Sequence, residues 1–203
     1  MDHIKGLDKM PHIQRDSLWT LEHYSRIRNQ FRAEVMEHKR SRRLTLGDHI
    51  TIIFEDEKTI RYQIQEMLRI EKTFEEEGIQ DELNAYNPLI PDGRNFKATM
   101  MIEYPDPEIR KVELRKLKGI EDRVWVQVEG REKVFAVADE DLQRENEEKT
   151  SSVHFLRFEL DEDMSAALKY GVALAAGVSH PAYTVVVDPV PADIRASLAQ
   201  DLA

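Results

Sequence analysis

Leu44-Thr45-Leu46-Gly47-Asp48-His49-Ile50-Thr51-Ile52-Ile53-Phe54-Glu55 is the stretch whose reading decides the fold. Gly47-Asp48 separates two β-type runs, the signature of a hairpin. In the second run Ile50, Ile52 and Phe54 alternate with His49, Thr51 and Ile53. Successive side chains of a strand point to opposite faces, so one face of this strand is uniformly apolar.

Outward from the hairpin, the pattern alternates between helix and strand. Upstream, Ser17 or Thr20 is placed to cap a helix reaching about Arg43, with Leu21, Tyr24, Ile27, Phe31 and Val35 as its apolar stripe. Residues 1–16 have no period and read as a flexible N-terminal arm. Downstream, a second helix is predicted over roughly Lys58 to Glu76 and a third from about Ile79 to Tyr86, stopped by Asn87-Pro88. Phe96 to Tyr104 alternates as a strand, and a short helix then reaches Lys118 and closes at Gly119. Two strands flank a turn at Gly130, Ser152 to Leu160 is a further strand, and Asp161 caps a helix to about Tyr170. The tail holds a small-residue segment, a His180-Pro181 turn, a strand over Tyr183 to Val187 and a last helix from Ala192. Hairpins and meanders mixed with helices predict an α+β fold, a mainly antiparallel sheet with helices packed against it. One domain over 17–203 is expected, and the acidic stretch at 139–150 is where a subdivision would fall.

Composition narrows the function classes. The chain has 203 residues and a net charge of −10, which argues against general nucleic-acid binding and against docking on an anionic membrane. It has no cysteine, which excludes disulfides, cysteine-ligated iron–sulfur clusters, thiol catalysis and c-type haem attachment. No cofactor is assigned. Without a signal-like or spanning apolar segment, the expected location is the cytoplasm. Glycine-rich phosphate loops, His-Glu-x-x-His and the nucleophile elbow are all missing.

The remaining signals are polar residues on apolar faces. A helical wheel puts His38 between Ile27 and Phe31 on the first helix. On the second helix Ile60, Ile64, Met67, Leu68, Ile70 and Phe74 form a wide apolar face, with Glu71 near its centre and Gln63 within it. Glu82 lies beside Ile79, Leu83 and Tyr86, and His154 shares a strand face with Leu156, Phe158 and Leu160. A buried carboxylate must be paired, so Glu71 is expected to be buried and to meet Arg28, Arg42, a histidine or a metal. In the sharper reading His38, Glu71, Glu82 and His154 converge on a metal or small ligand; in the plainer one Glu71 is a structural ion pair or swings to solvent. His154 is expected to face the interior near the second helix, with Gln63, Glu66 and Glu71 as partners. His180 and Tyr183 are either an exposed turn or the rim of a site to which Ala173, Ala175, Ala176 and Gly177 admit a ligand. The run Arg40 to Arg43 either touches phosphates or neutralises the acidic second and third helices.

Several phrases together resemble a bacterial family known as domain of unknown function 3501. They are Phe31-Arg32-Ala33-Glu34-Val35, Tyr62-Gln63-Ile64-Gln65-Glu66-Met67-Leu68-Arg69, Tyr86-Asn87-Pro88-Leu89-Ile90-Pro91, the segment from Glu148 to Phe158, and His180-Pro181-Ala182-Tyr183. The resemblance runs from about residue 17 to near the end and implies no assigned activity. Members are often encoded beside rubrerythrin-like and iron–sulfur oxidoreductase-like proteins, which implies an accessory role in iron or redox stress by association only. The phrases overlap Gln63 and His154 and place Glu66, Arg69, Asn87 and Lys149 near them in sequence. The ligand-binding candidates are thus Gln63, Glu66, Arg69, Glu71, His154, His180 and Tyr183. Two functions follow as expectations. One is a non-enzymatic accessory protein with a protein partner in an iron or redox system; the other is a small metal- or ligand-binding enzyme built on the carboxylate–histidine set.

Overall fold

The structure, a computed structural model, describes residues 12–138 and 149–203. In chain order its elements are α1 (Leu21–Arg40), β1 (Arg43–Leu46), β2 (Ile50–Glu55), α2 (Glu57–Glu71), α3 (Glu76–Tyr86), β3 (Asn95–Ile102), α4 (Pro107–Lys116), β4 (Val124–Val128), β5 (Lys133–Phe135) and β6 (Val137–Ala138). After the acidic segment come β7 (Val153–Glu159), α5 (Glu162–Lys169), β8 (Leu174–His180), β9 (Tyr183–Val187) and α6 (Ala192–Ala199). The strands form two open antiparallel sheets, β1-β2-β3-β7-β6 and β5-β4-β8-β9. The fold is α+β, as the hairpins predicted.

The Gly47-Asp48 hairpin forms with Leu46 opposite Ile50. Gly47 has φ +68°, and a Cβ there would lie 2.5 Å from the Tyr183 hydroxyl, so both conformation and space require glycine. Helix starts follow the cap rule: side-chain oxygens of Thr20, Asp56, Asp106 and Asp161 accept from first-turn N–H groups.

The first sheet is covered on both faces, and this positions everything else. Its inner side, with Ile52, Phe54, Phe96, Met100 and Phe158, meets Val124, Val126, Ala176 and Val178 of the second sheet in one continuous core. Residues from both sides of the acidic segment belong to that core. The outer side faces a helical layer held by Ile60, Ile64, Leu68, Ile79 and Leu83, with Tyr24, Phe31 and Val35 of α1 packed alongside.

Several expectations need correction. Residues 12–16 are not part of a loose arm, because Ile13 is buried in the helical layer and the Asn87 side chain bonds both its N–H (2.9 Å) and its carbonyl (3.0 Å). Residues 1–11, and the acidic connection and subdivision expected across 139–148, lie outside the described residues. Helix α2 stops at Glu71, where Lys72 turns left-handed (φ 54°). That cuts the apolar stripe short, and Ile70 and Phe74 are 60% and 67% exposed. The small-residue segment of the tail is strand β8, which the sequence did not announce.

Candidate functional site

Between the outer face of the first sheet and the helical layer lies a half-enclosed chamber of about 260 Å³. Ile53, Met101, Val153 and Phe155 form its sheet side; Ile60, Gln63, Tyr86 and Leu89 form its helix side. Glu55, the last residue of β2, sits in its wall and is only 8% exposed. The sequence builds this locally. Asp56 caps α2 through the Thr59 N–H (2.9 Å), and the Thr59 hydroxyl accepts from the Asp56 N–H (2.9 Å). The cap holds Thr59 over the strand end, where its hydroxyl donates to Glu55 Oε2 (2.5 Å). Thr99 of β3 donates to Oε1 (2.7 Å). No cation among the described residues forms an ion pair with Glu55, although Lys97 stands opposite it in the ladder. Gln63 makes no hydrogen bond to a described residue.

Glu66 lies on a different side of α2, in a tight charged knot. Arg28 donates to both its oxygens (2.7 and 2.8 Å), Tyr24 donates at 2.8 Å, and Arg69 approaches both oxygens at 3.3 Å. The Arg28 hydrogen bonds hold the Glu66 carboxyl at about 2, against the opposing effect of burial. Burial, reinforced by Glu66, pushes the Tyr24 phenol well above its ordinary value. Glu66 and Arg69 thus join α1 to α2 and satisfy each other.

Arg42 is a second knot. It is 1% exposed and donates to the carbonyls of Phe54 (2.8 Å) and Glu55 (3.0 Å), to Ser197 (3.2 Å) and to Asp201. Asp56 lies 3.5 Å away and binds His38 Nε2 at 2.5 Å. Burial raises Asp201, only partly offset by Arg42. Burial also acts to raise Asp56, but there the Arg42 charge, the Thr59 N–H and His38 prevail and hold it low. Both carboxylates open onto a shallow groove of about 580 Å³. The basic run therefore does not act as one patch: Arg40 pairs with Glu37 on the surface, Arg42 is internal, and Arg43 reaches Thr51. It neutralises Asp56 and Asp201 rather than the acidic third helix.

The other sequence candidates do not converge. Glu71 is exposed and forms no hydrogen bond or ion pair with the described residues, since Arg28 and Arg42, its expected partners, are taken by Glu66 and Asp201. Glu82 is half-buried, and burial followed by the charges of Glu71 and Asp81 raises its carboxyl. His154 is fully buried (0% exposed), as its parity predicted, but it faces the second sheet and not α2. Its Nε2 lies 2.9 Å from Thr150 Oγ1, 3.0 Å from the Ser151 carbonyl and 3.8 Å from Glu121. The expected cluster with Gln63, Glu66 and Glu71 therefore does not form; those residues lie on the opposite side of the sheet. Among the described residues no three His, Asp or Glu side chains converge as a metal site, so His38, Glu71, Glu82 and His154 stand apart.

His180 and Tyr183 are structural fasteners. His180 Nδ1 accepts from the Ala182 N–H (3.1 Å), so its Nε2 carries the proton and donates to the Lys118 carbonyl (3.0 Å). Tyr183 donates to the Leu46 carbonyl (2.7 Å) and accepts from the His49 N–H (3.2 Å), tying the second sheet to the hairpin. Of the small residues beside them, Ala173 and Ala175 line a groove of about 410 Å³ with Asp188 and Pro189, whereas Gly177 is packed against the protein itself. A Cβ at Gly177 would lie 2.4 Å from the Val185 carbonyl and 2.6 Å from the Trp125 ring, so Trp125 already fills that space.

Glu55, Thr59 and Thr99 were missed by the sequence reading. The available signal was the end of the hairpin quoted above: Glu55 continues the parity of Thr51 and Ile53, the face opposite Phe54. Gln63 is the sequence candidate that the structure places on the chamber wall.

The fold and chamber define an open two-sheet α+β protein with a helical cover over one sheet. The chain belongs to the family described as protein of unknown function (DUF3501), whose model matches residues 12–202. It is similar to a crystal structure of a novel protein of unknown function from Burkholderia pseudomallei K96243. The two share 52% identity and a TM-score of 0.91, over 95% of this chain and 100% of that one. Comparison with curated proteins gave no match. No helix among the described residues is long and apolar enough to cross a membrane.

Proposed function

We propose that this protein is a non-catalytic binding protein that holds a small, mainly apolar ligand in the chamber between its first sheet and its helical layer. The observation that carries this is the chamber itself, about 260 Å³ between a sheet face and a helix face that are apolar apart from a few polar side chains. Protein interiors close-pack and leave few voids larger than a water molecule, so an apolar space of this size is ligand-sized room. It lies just below the roughly 300–1,000 Å³ of drug-sized sites, which sets a compact ligand. A non-catalytic role is supported by the acid–base side chains that the sequence singled out. Glu66, His154, His180 and Tyr183 are each held by protein partners, where a general acid or base must reach its substrate. This agrees with the accessory role that the family resemblance implies; the link to iron or redox handling rests on that resemblance alone.

The test uses methionine-methyl spectra of the whole chain titrated with benzyl alcohol, a neutral compact probe. Met101 lines the chamber, whereas Met100 is buried on the other face. A saturable shift at Met101 with Met100 unmoved is expected, and Val153→Phe, which fills the chamber, should abolish it. No saturable shift at Met101 with this alcohol or with the amine and carboxylate of the same ring, or equal shifts at both methionines, would overturn the proposal.

A further inference from the structure

We infer that the ligand of this chamber carries a protonated amine on a compact apolar body, with Glu55 as the anion that receives it. The inference rests on the binding reading above and names its ligand class. A carboxylate withdrawn from water is costly unless a cation or strong donors compensate it. Glu55 is 8% exposed, yet its partners are two neutral hydroxyls, Thr59 and Thr99. An ionised carboxylate offers about four acceptor positions, so the two hydroxyls leave room for further donors. Ile53, Ile60, Met101 and Phe155 of the surrounding wall supply none, and the wall residues that do carry donors, Lys39, Gln63 and Tyr86, form no hydrogen bond with Glu55. Two lysines are near enough to weigh. Lys39 also lines the chamber, but its Nζ lies 5.9 Å from the centre of the Tyr62 ring, and it forms no ion pair with Glu55. Lys97 is opposite Glu55 across the ladder but is itself engaged in an interaction of its own, and no ion pair between these two described residues is formed.

Gln63 supplies the second recognition element. Its amide is on the chamber wall without a described partner, and its carbonyl can accept from an ammonium whose other N–H bonds Glu55. An ammonium has donors only, which matches the Glu55 carboxylate and the Gln63 carbonyl together. A carboxylate-bearing ligand would instead set like charges together at Glu55. A neutral alcohol would gain the burial but leave the charge of Glu55 uncompensated.

Benzylamine, benzyl alcohol and benzoate share one ring and differ only in head group, so they separate these cases in the Met101 assay. On the wild-type chain, benzylamine should bind at least about tenfold more tightly than benzyl alcohol, the margin of a charge-assisted hydrogen bond, with benzoate weakest. Glu55→Gln should reduce benzylamine to the affinity of the alcohol and leave the alcohol unchanged. Equal or tighter binding of the alcohol by wild type would overturn the amine inference and leave the binding proposal standing. So would an amine preference that survives Glu55→Gln. If none of the three probes moves Met101, the binding proposal falls and this inference with it. The wild-type comparison decides the matter even if Glu55→Gln does not fold.

Discussion

Glu66 and Glu71 occupy the same helix and have opposite fates, which comes down to which arginine can reach each of them. Glu66 faces α1 and is clasped by Arg28, Tyr24 and Arg69; Glu71 is the last residue of α2 and lies in solvent. Because Arg28 holds Glu66 at about 2, below its ordinary value of 4.5, its contribution to stability is fully present above the ordinary value and is lost as pH falls through about 2. Glu66→Gln is therefore expected to cost about 1–2 kcal/mol at pH 7, after discounting for solvent at the rim of the pair. The gap from wild type should narrow steadily below pH 4.5. Glu71→Ala should change stability by less than about 0.5 kcal/mol, as exposed substitutions do. Urea midpoints of the variants at several pH values check both. The wheel could not separate these residues, because it marks direction about the helix axis and is blind to where the helix ends. His154 shows the converse. Strand parity placed it inside correctly, but both faces of its sheet are covered, so "inside" named two different environments and only the fold chooses between them.

At the scale of elements, the hairpin and caps were legible because local chemistry determines them. Gly47 supplies the left-handed residue of its turn, and Thr20 and Asp161 cap the helices they were expected to cap; Asp56 and Asp106, which the sequence reading did not single out, cap two more. Strand β8 was not legible. Leu174 to His180 is poor in the β-branched and aromatic residues that mark strands, with Ala175, Ala176 and Gly177 in its middle, and at Gly177 the small residue is required by a neighbour. Trp125 pairs directly with Gly177, its indole N–H reaches Ser179 Oγ (2.9 Å), and Lys133 covers its outer face at 3.7 Å. The composition of one strand is thus set by a side chain more than forty residues away, about which a local window holds no information. Gly177→Ala tests this. The new Cβ meets a carbonyl and a ring edge closer than real contacts allow, so overpacking should cost about 1–3 kcal/mol. The near-ultraviolet dichroism of Trp125 should change with it. A fully stable variant with an unaltered Trp125 signal would show that the strand has room to spare.

For the whole molecule, the question is whether the helical cover and the two-sheet core unfold together. The apolar clusters of the cover are separate from the main core, which would favour independent melting. Against this, the sheet between them buries both faces, so lifting the helices exposes Ile53, Met101 and Val153 at once. Arg42 adds a polar tie, joining the end of β2 to Ser197 and Asp201 after the last strand, while Asp56 at its side caps α2. The chain has two tryptophans, and they report on the two parts separately: Trp19 packs on Tyr24 and Phe31 in the cover, Trp125 lies on the second sheet. Single-tryptophan proteins, Trp19→Phe and Trp125→Phe, should give coincident urea transitions once each is referenced to its own dichroism. Arg42→Ala should lower stability by about 3–5 kcal/mol, because it strands the buried Asp201 carboxylate and two carbonyls. It should lower both tryptophan transitions equally, since the tie spans the molecule and does not belong to either layer. A cover that melts first in the wild-type background would mean that the shared sheet does not couple the layers, and that the chamber wall opens to water before the core is lost.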